Sequence, residues 1–279
     1  MTFGVQQSEL ETRSLRPLPT MYDLPSEFPE EPGLPDEFHD LQPQLLSRTL
    51  SLAGWTSDRR FTASDLNVYY DVYHPLWHKR PDWFLVLDVP RLYEERELRR
   101  SYVTWQEGRN PYVAIEFLSP GTEVEDLGRF ADGVKPEQLE NGQDRERPPG
   151  KLEVYERYLR IPHYLVYSRY TQQLRYFKLI GGSYEEQSLS LQTPRVWLED
   201  LDIGLGIWEG TFEGIPGHWL RWCDRQGNWL LTDTESERQR TEETQSQLLQ
   251  AARNLLASGT DLEEVVQLLQ LTDEQIGQI

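Results

Sequence analysis

The chain has 279 residues, of which 47 are acidic and 28 basic, giving a formal net charge of −19. That length supplies core enough for one large domain with appendages, and such acidity works against non-specific binding of nucleic acid. A single cysteine, Cys223, excludes an internal disulfide and a cysteine-rich zinc site. No apolar run reaches the ~18–20 residues of a membrane helix and no basic-then-apolar leader opens the chain, so a cytoplasmic protein without a membrane partner is expected.

The charge is unevenly placed. Residues 1–40 and 232–279 each carry a net −7, and the 191 residues between them only −5. Of the 28 bases, 24 are arginine; the lysines are Lys79, Lys135, Lys151 and Lys178. Chemistry that needs a lysine therefore has few candidates.

Residues 1–35 are rich in proline and acid and lack periodicity, which predicts a disordered acidic arm. From Asp36, the apolar positions Phe38, Leu41, Leu45, Leu46 and Leu50 fall at helical spacing and Gly54 is the stop. Residues 66–72 (LNVYYDV) predict a strand. The runs 83–90 (WFLVLDVP) and 112–120 (YVAIEFLSP) are almost wholly apolar, as strands buried on both faces are. Between them lies a surface excursion in which Arg91, Arg96, Arg99 and Arg100 alternate with Tyr93, Tyr102 and Trp105. Such a mixture can track a nucleic-acid backbone, while Glu94, Glu95 and Glu97 equally allow an ion-paired surface. Residues 121–150 are polar and predict loop.

A helix is predicted from Lys151 to about Arg160, then a turn at Pro162 and a strand at 164–167. A hairpin follows with Gly181-Gly182 at its turn. Residues 196–231, rich in tryptophan and glycine, are expected to finish the sheet with short strands. Beyond Thr232 the composition turns polar: one helix ends at Gly259, and an amphipathic second one starts from Asp261 as cap. This helical tail, 232–279, suits a docking or dimerisation element, or a loosely attached solvated one.

Three ionisable residues stand in unusual company. Asp82 follows Pro81 at the start of an apolar strand, Glu116 lies between Ile115 and Phe117 inside another, and Lys151 opens a helix 35 residues later. A carboxylate in a buried strand is costly unless paired, protonated or bound to a cation. Two carboxylates at neighbouring strand ends can share a hard divalent ion, which activates water and neutralises a phosphodiester; a lysine can orient that water or hold the phosphate. The alternative makes Asp82 a turn residue and Glu116 an arginine's partner. His74 and His78 have the spacing of a helical zinc pair, but Pro75 between them favours a loop.

The order of these elements resembles the PD-(D/E)XK nuclease superfamily, and more closely the restriction-endonuclease-like Uma-two family. The similar segments are PDWFLVLDVP (81–90), VAIEFLSPGTEVEDLG (113–128), KLEVYERYLRIPHYLVY (151–167) and LRYFKLIGGSY (174–184). The resemblance implies an α/β restriction-endonuclease-like core over 36–231, a mixed central sheet flanked by helices. It implies a DNA endonuclease with Asp82 and Glu116 as Mg²⁺ ligands (Mn²⁺ in its place), the Phe117 backbone carbonyl as a further ligand, and Lys151 as the catalytic lysine. Leu118 stands where the strict motif has lysine, so the lysine has moved. His39 matches a position near the family's site, and His163 replaces an acidic residue common in relatives. One site per subunit and two strands to cut imply a homodimer. The competing reading is an inactive nuclease-like scaffold docked through the tail.

Overall fold

A computed structural model describes residues 36–133, 147–190 and 192–279. The predicted arm, 1–35, and the centre of the 121–150 stretch lie outside the described residues. The chain divides into two units between Leu41 and Gln42, and the larger, Gln42–Ile279, holds all three sheets.

In chain order the elements are α1 (Glu37–Thr49), β1 (Arg60–Ala63), β2 (Val68–Tyr69), β3 (His78–Lys79), β4 (Trp83–Leu87), β5 (Tyr102–Val103), α2 (Thr104–Glu107), β6 (Val113–Phe117) and α3 (Glu123–Leu127). Then come α4 (Lys151–Glu153, continued by a π turn at Val154–Tyr158), β7 (His163–Ser168), β8 (Gln173–Ile180), β9 (Ser183–Gln187), β10 (Arg195–Leu198), β11 (Ile203–Phe212), β12 (Ile215–Cys223), α5 (Asp233–Ala257), α6 (Leu262–Leu269) and α7 (Asp273–Ile276). The architecture is mixed α/β, as expected. No helix among the described residues is long and apolar enough to cross a membrane.

The central sheet runs β1-β4-β6-β7-β8-β9. Only β6 and β7 are parallel; every other neighbouring pair is antiparallel. All residues of β4, β6 and β7 are buried, which is why their sequences are apolar throughout rather than alternating. One face packs Phe84, Ala114, Tyr164, Val166 and Phe177 against Leu127 of α3, Leu152 and Tyr155 of α4, and Val68 and Tyr102 of a small sheet, β3-β2-β5. On the other face Trp83 meets Trp222 of β12, ring centroids 5.8 Å apart. The indole N–H groups of both donate to α1, to Ser47 and to the Leu46 carbonyl, at 2.9 Å each.

Several expectations need correction. Helix α1 stops at Thr49, because the Leu50 carbonyl is taken by the Arg60 guanidinium (2.9 Å) instead of a following amide. The strand at 66–72 shrinks to two residues, and β1 is an addition to the expected elements. Residues 196–231 do not finish the central sheet but form a separate antiparallel one, β10-β11-β12, with strands of ten and nine residues in its hairpin. Part of the stretch expected as loop is helical, at α3. The second tail helix is two, α6 and α7, parted at Gln270 in a left-handed conformation (φ 52°). The glycine turn is as expected: Gly181 and Gly182 have φ of 61° and 93°.

Candidate active site

The antiparallel register of β4 and β6 pairs Trp83 with Ile115, so one step further Asp82 lies across from Glu116. Like charges directly opposed on a sheet repel, and Glu116 is fully buried. Backbone groups partly offset this: the Asp82 N–H donates to Glu116 Oε2 (3.3 Å), and the Phe117 N–H to Asp82 Oδ2 (2.6 Å). The two carboxylates are thereby clamped reciprocally onto the ends of both strands.

Helix α4 completes the neutralisation. Its Lys151 ammonium donates to Glu116 Oε2 at 2.9 Å, and one turn later the Tyr155 hydroxyl donates to Glu116 Oε1 at 2.6 Å. The i, i+4 spacing puts both on the same helix face. Over Val154–Tyr158 the helix widens into a π turn, where the Leu159 N–H reaches back to the Val154 carbonyl at 2.9 Å; such turns recur at functional sites. The Lys151 ammonium also lies 2.9 Å from Asp126 Oδ1 of α3. Glu116 and Asp126 are 0% and 3% exposed while Lys151 is 20% exposed, making the lysine the member of the trio that faces solvent. Its backbone N–H is held by Glu125 (3.2 Å), which also pairs with Lys79 (2.6 Å).

Negative charge exceeds positive in this pocket, and Glu116 and Lys151 both hold their protons more tightly than usual. Burial, reinforced by Asp82 and Asp126, pushes the Glu116 carboxyl well above its ordinary value against the pull of Lys151. Burial opposes the Lys151 charge, yet Glu116, Asp126 and Asp82 together raise it well above an ordinary lysine. Burial likewise keeps the Tyr155 hydroxyl protonated, so it remains a donor. Among the described residues no group of three or more His, Cys, Asp or Glu is arranged to hold a metal ion. The donor chemistry nevertheless fits one: Asp82 and Glu116 offer hard carboxylate oxygens from opposed positions, and a net negative pocket attracts a cation.

Asp82, Glu116 and Lys151 are thus brought together, with Phe117 joined to them through its N–H. Sequence reasoning missed Asp126 and Tyr155 as site residues, although the K-x-x-x-Y spacing contained Tyr155. Of the other candidates in the larger unit, His74, His78, Arg99 and His163 lie apart. His39 belongs to the smaller unit, its Nδ1 2.8 Å from Asp36. His74 pairs with Asp71 (2.7 Å) and stacks on Trp77, while His78 Nδ1 sits 2.9 Å from the Leu76 carbonyl, so the two share no ligand position. Arg99 is buried, bidentate to Glu107 and bonded to the Pro90 and Arg91 carbonyls, which removes it from any nucleic-acid contact.

His163 is buried on the opposite face from Glu116, between the Tyr176 hydroxyl (2.7 Å) and Asp200 (2.9 Å), tying the central sheet to the turn before β11. Burial opposes the Asp200 charge, but the hydrogen bonds from His163 and Tyr112 hold its carboxyl well below the ordinary aspartate value. A lowered folded pKa means stability that is complete above the unfolded value of ~3.9 and is lost as pH falls through the folded one. Asp200→Asn should therefore melt below the wild type at pH 7, and the two melting curves should converge in strong acid. A gap that persists unchanged in acid would refute this hydrogen-bond account.

The model of the family described as "Uma2: Putative restriction endonuclease" matches residues 11–211. No curated protein matches the chain.

Proposed function

The chain belongs to the Uma2 family of restriction-endonuclease-like proteins, and from that membership we propose that it is a Mg²⁺-dependent DNA endonuclease whose site is Asp82, Glu116 and Lys151. One observation carries the reading: two carboxylates directly opposed at buried strand ends, with a lysine ammonium 2.9 Å from one of them. A fold has little reason to keep such a pair unless a cation is to be bound.

Asp82 and Glu116, with the Phe117 carbonyl, would hold the ion, and Mn²⁺ would serve in its place. Bound there, the ion supplies Lewis acidity and a lowered pKa for a coordinated water. Tyr155 fixes the rotamer of Glu116 through Oε1, so a cation would meet Glu116 at Oε2, the oxygen that Lys151 and the Asp82 N–H now share. Lys151, from the solvent side, holds a phosphate oxygen or orients the attacking water by its N–H groups. The substrate is DNA, and a homodimer would cut both strands.

The competing reading, an inactive scaffold, draws on the same ion pair, since Lys151 neutralises Glu116 without any metal. Thermal melting separates the two. A cation that binds only the folded chain at ten times its Kd adds about 1.4 kcal/mol, or roughly 3–5 °C for a chain of this size. We expect that rise for the wild type in millimolar Mg²⁺ or Mn²⁺, and none for Glu116→Gln. A wild type that melts at the same temperature with and without either cation rejects the nuclease reading in favour of the scaffold.

A further inference from the structure

Asp126 has no part in the two-carboxylate scheme, yet it is the pocket's third acid. Its side chain is 3% exposed, and its Oδ1 lies 2.9 Å from Lys151 Nζ. Its place is fixed by its backbone: the Asp126 carbonyl accepts from the buried Tyr164 hydroxyl (2.8 Å), and the next residue, Leu127, sits in the core. The side chain is therefore not needed to hold α3 in position.

Formal charge shows what it does. With Asp82 and Glu116 alone, Lys151 leaves the pocket one negative charge, and a divalent cation would turn that into a buried positive excess. With Asp126 ionised the pocket carries two negative charges, and a divalent cation balances it. Lys151 now touches Glu116 Oε2 and Asp126 Oδ1 at the same 2.9 Å, and Oε2 is the oxygen a cation would need.

We propose that Asp126 is a positioning residue, the counter-ion onto which Lys151 transfers its ion pair when Glu116 takes up a divalent cation, so that lysine and metal can occupy one buried site. The inference rests on the cation reading above. Without Asp126, the lysine has Glu116 as its remaining close carboxylate and competes with the cation for Oε2. Asp126→Asn, nearly isosteric and keeping the backbone carbonyl, should bind Mn²⁺ about tenfold or more weakly, the scale of one unit charge at this range in a partly solvated pocket.

Calorimetric titration of the full chain with Mn²⁺ would compare the wild type, Asp126→Asn, Lys151→Met and the double variant. If Asp126 is the lysine's counter-ion, Lys151→Met improves affinity about tenfold in the Asp126→Asn background and less than about threefold in the wild-type background, a coupling that independent sites do not show. Equal gains in both backgrounds overturn the proposal and make Asp126 an independent contributor, such as a direct ligand. Wild-type affinity in Asp126→Asn also overturns it. If no protein binds Mn²⁺, the cation reading itself fails and takes this inference with it, a result distinct from the other two.

Discussion

Glu116→Gln and Asp82→Asn are each expected to lower Mg²⁺-dependent cleavage of duplex DNA by about three orders of magnitude, the scale on which removal of a preorganised charge stabiliser acts. Neither should unfold the chain. In Glu116→Gln the amide oxygen still accepts from Tyr155, and Lys151 keeps Asp126 at 2.9 Å. The variant also removes one of three acids that share a single lysine, from a site with no solvent exposure where burial, Asp82 and Asp126 all oppose its charge. Activity and stability should therefore move apart: cleavage lost, melting temperature unchanged or higher without cation. Supercoiled plasmid nicking and circular dichroism on the same preparations measure both. Cation-dependent nicking at the wild-type rate in either variant would remove these residues from the site.

That pair was legible because Glu116 interrupts an otherwise apolar strand and Asp82 stands at the start of another, where local pattern and residue type conflict. Their opposition was not legible, since it depends on the register between β4 and β6, which no local spacing encodes. Lys151 stood out as one of four lysines and the opener of a predicted helix, but nothing in its spacing 35 residues from Glu116 showed that the two meet. Asp126 was hidden for a different reason: it lies in a five-residue helix within a polar stretch, too short to show a period. The β11–β12 hairpin escaped because its signals are atypical. Its two-residue turn is Glu213-Gly214, both with positive φ, rather than the Asn-Gly or Asp-Gly that usually marks such turns. Its glycines reflect crowding, for a Cβ on Gly204 would come within 2.6 Å of the Cys223 sulfur. A stretch that reads as weak strand is thus held by aromatic packing and close approach.

Glu235→Ala should destabilise the chain by about 2–3 kcal/mol, since it leaves the buried Arg221 guanidinium without its partner although Glu235 itself is 30% exposed, whereas truncation after Gln247 should leave the main melting transition nearly where it was. The reason is Arg221. Its side chain is 2% exposed in β12, lies 4.3 Å over the Trp208 ring, and donates to the Leu230 carbonyl and to both oxygens of Glu235. Glu235 in turn accepts from the Thr232 N–H (2.7 Å) and donates its own N–H to Thr232 Oγ1 (3.2 Å), so the first turn of α5 is an integral part of the core. Further along, Ala252, Val265 and Leu271 form a separate apolar cluster with Leu248, Leu255 and Leu269, which truncation after Gln247 removes whole. Burial works against the Glu235 charge, but Arg221 and Thr232 lower its pKa on balance, so its contribution is complete above the ordinary glutamate value of ~4.3. It disappears as pH falls through the folded value, and the gap between wild type and Glu235→Ala should close there. A Glu235→Ala protein within about 1 kcal/mol of wild type at pH 7 would refute the core role, as would a Gln247 truncation that loses as much. The distinction decides how the scaffold reading can be tested: deletion at Thr232 strands a buried guanidinium, so a partner or an activity lost with it reports damage to the core. Only a loss on truncation after Gln247 implicates the distal helices as a docking element.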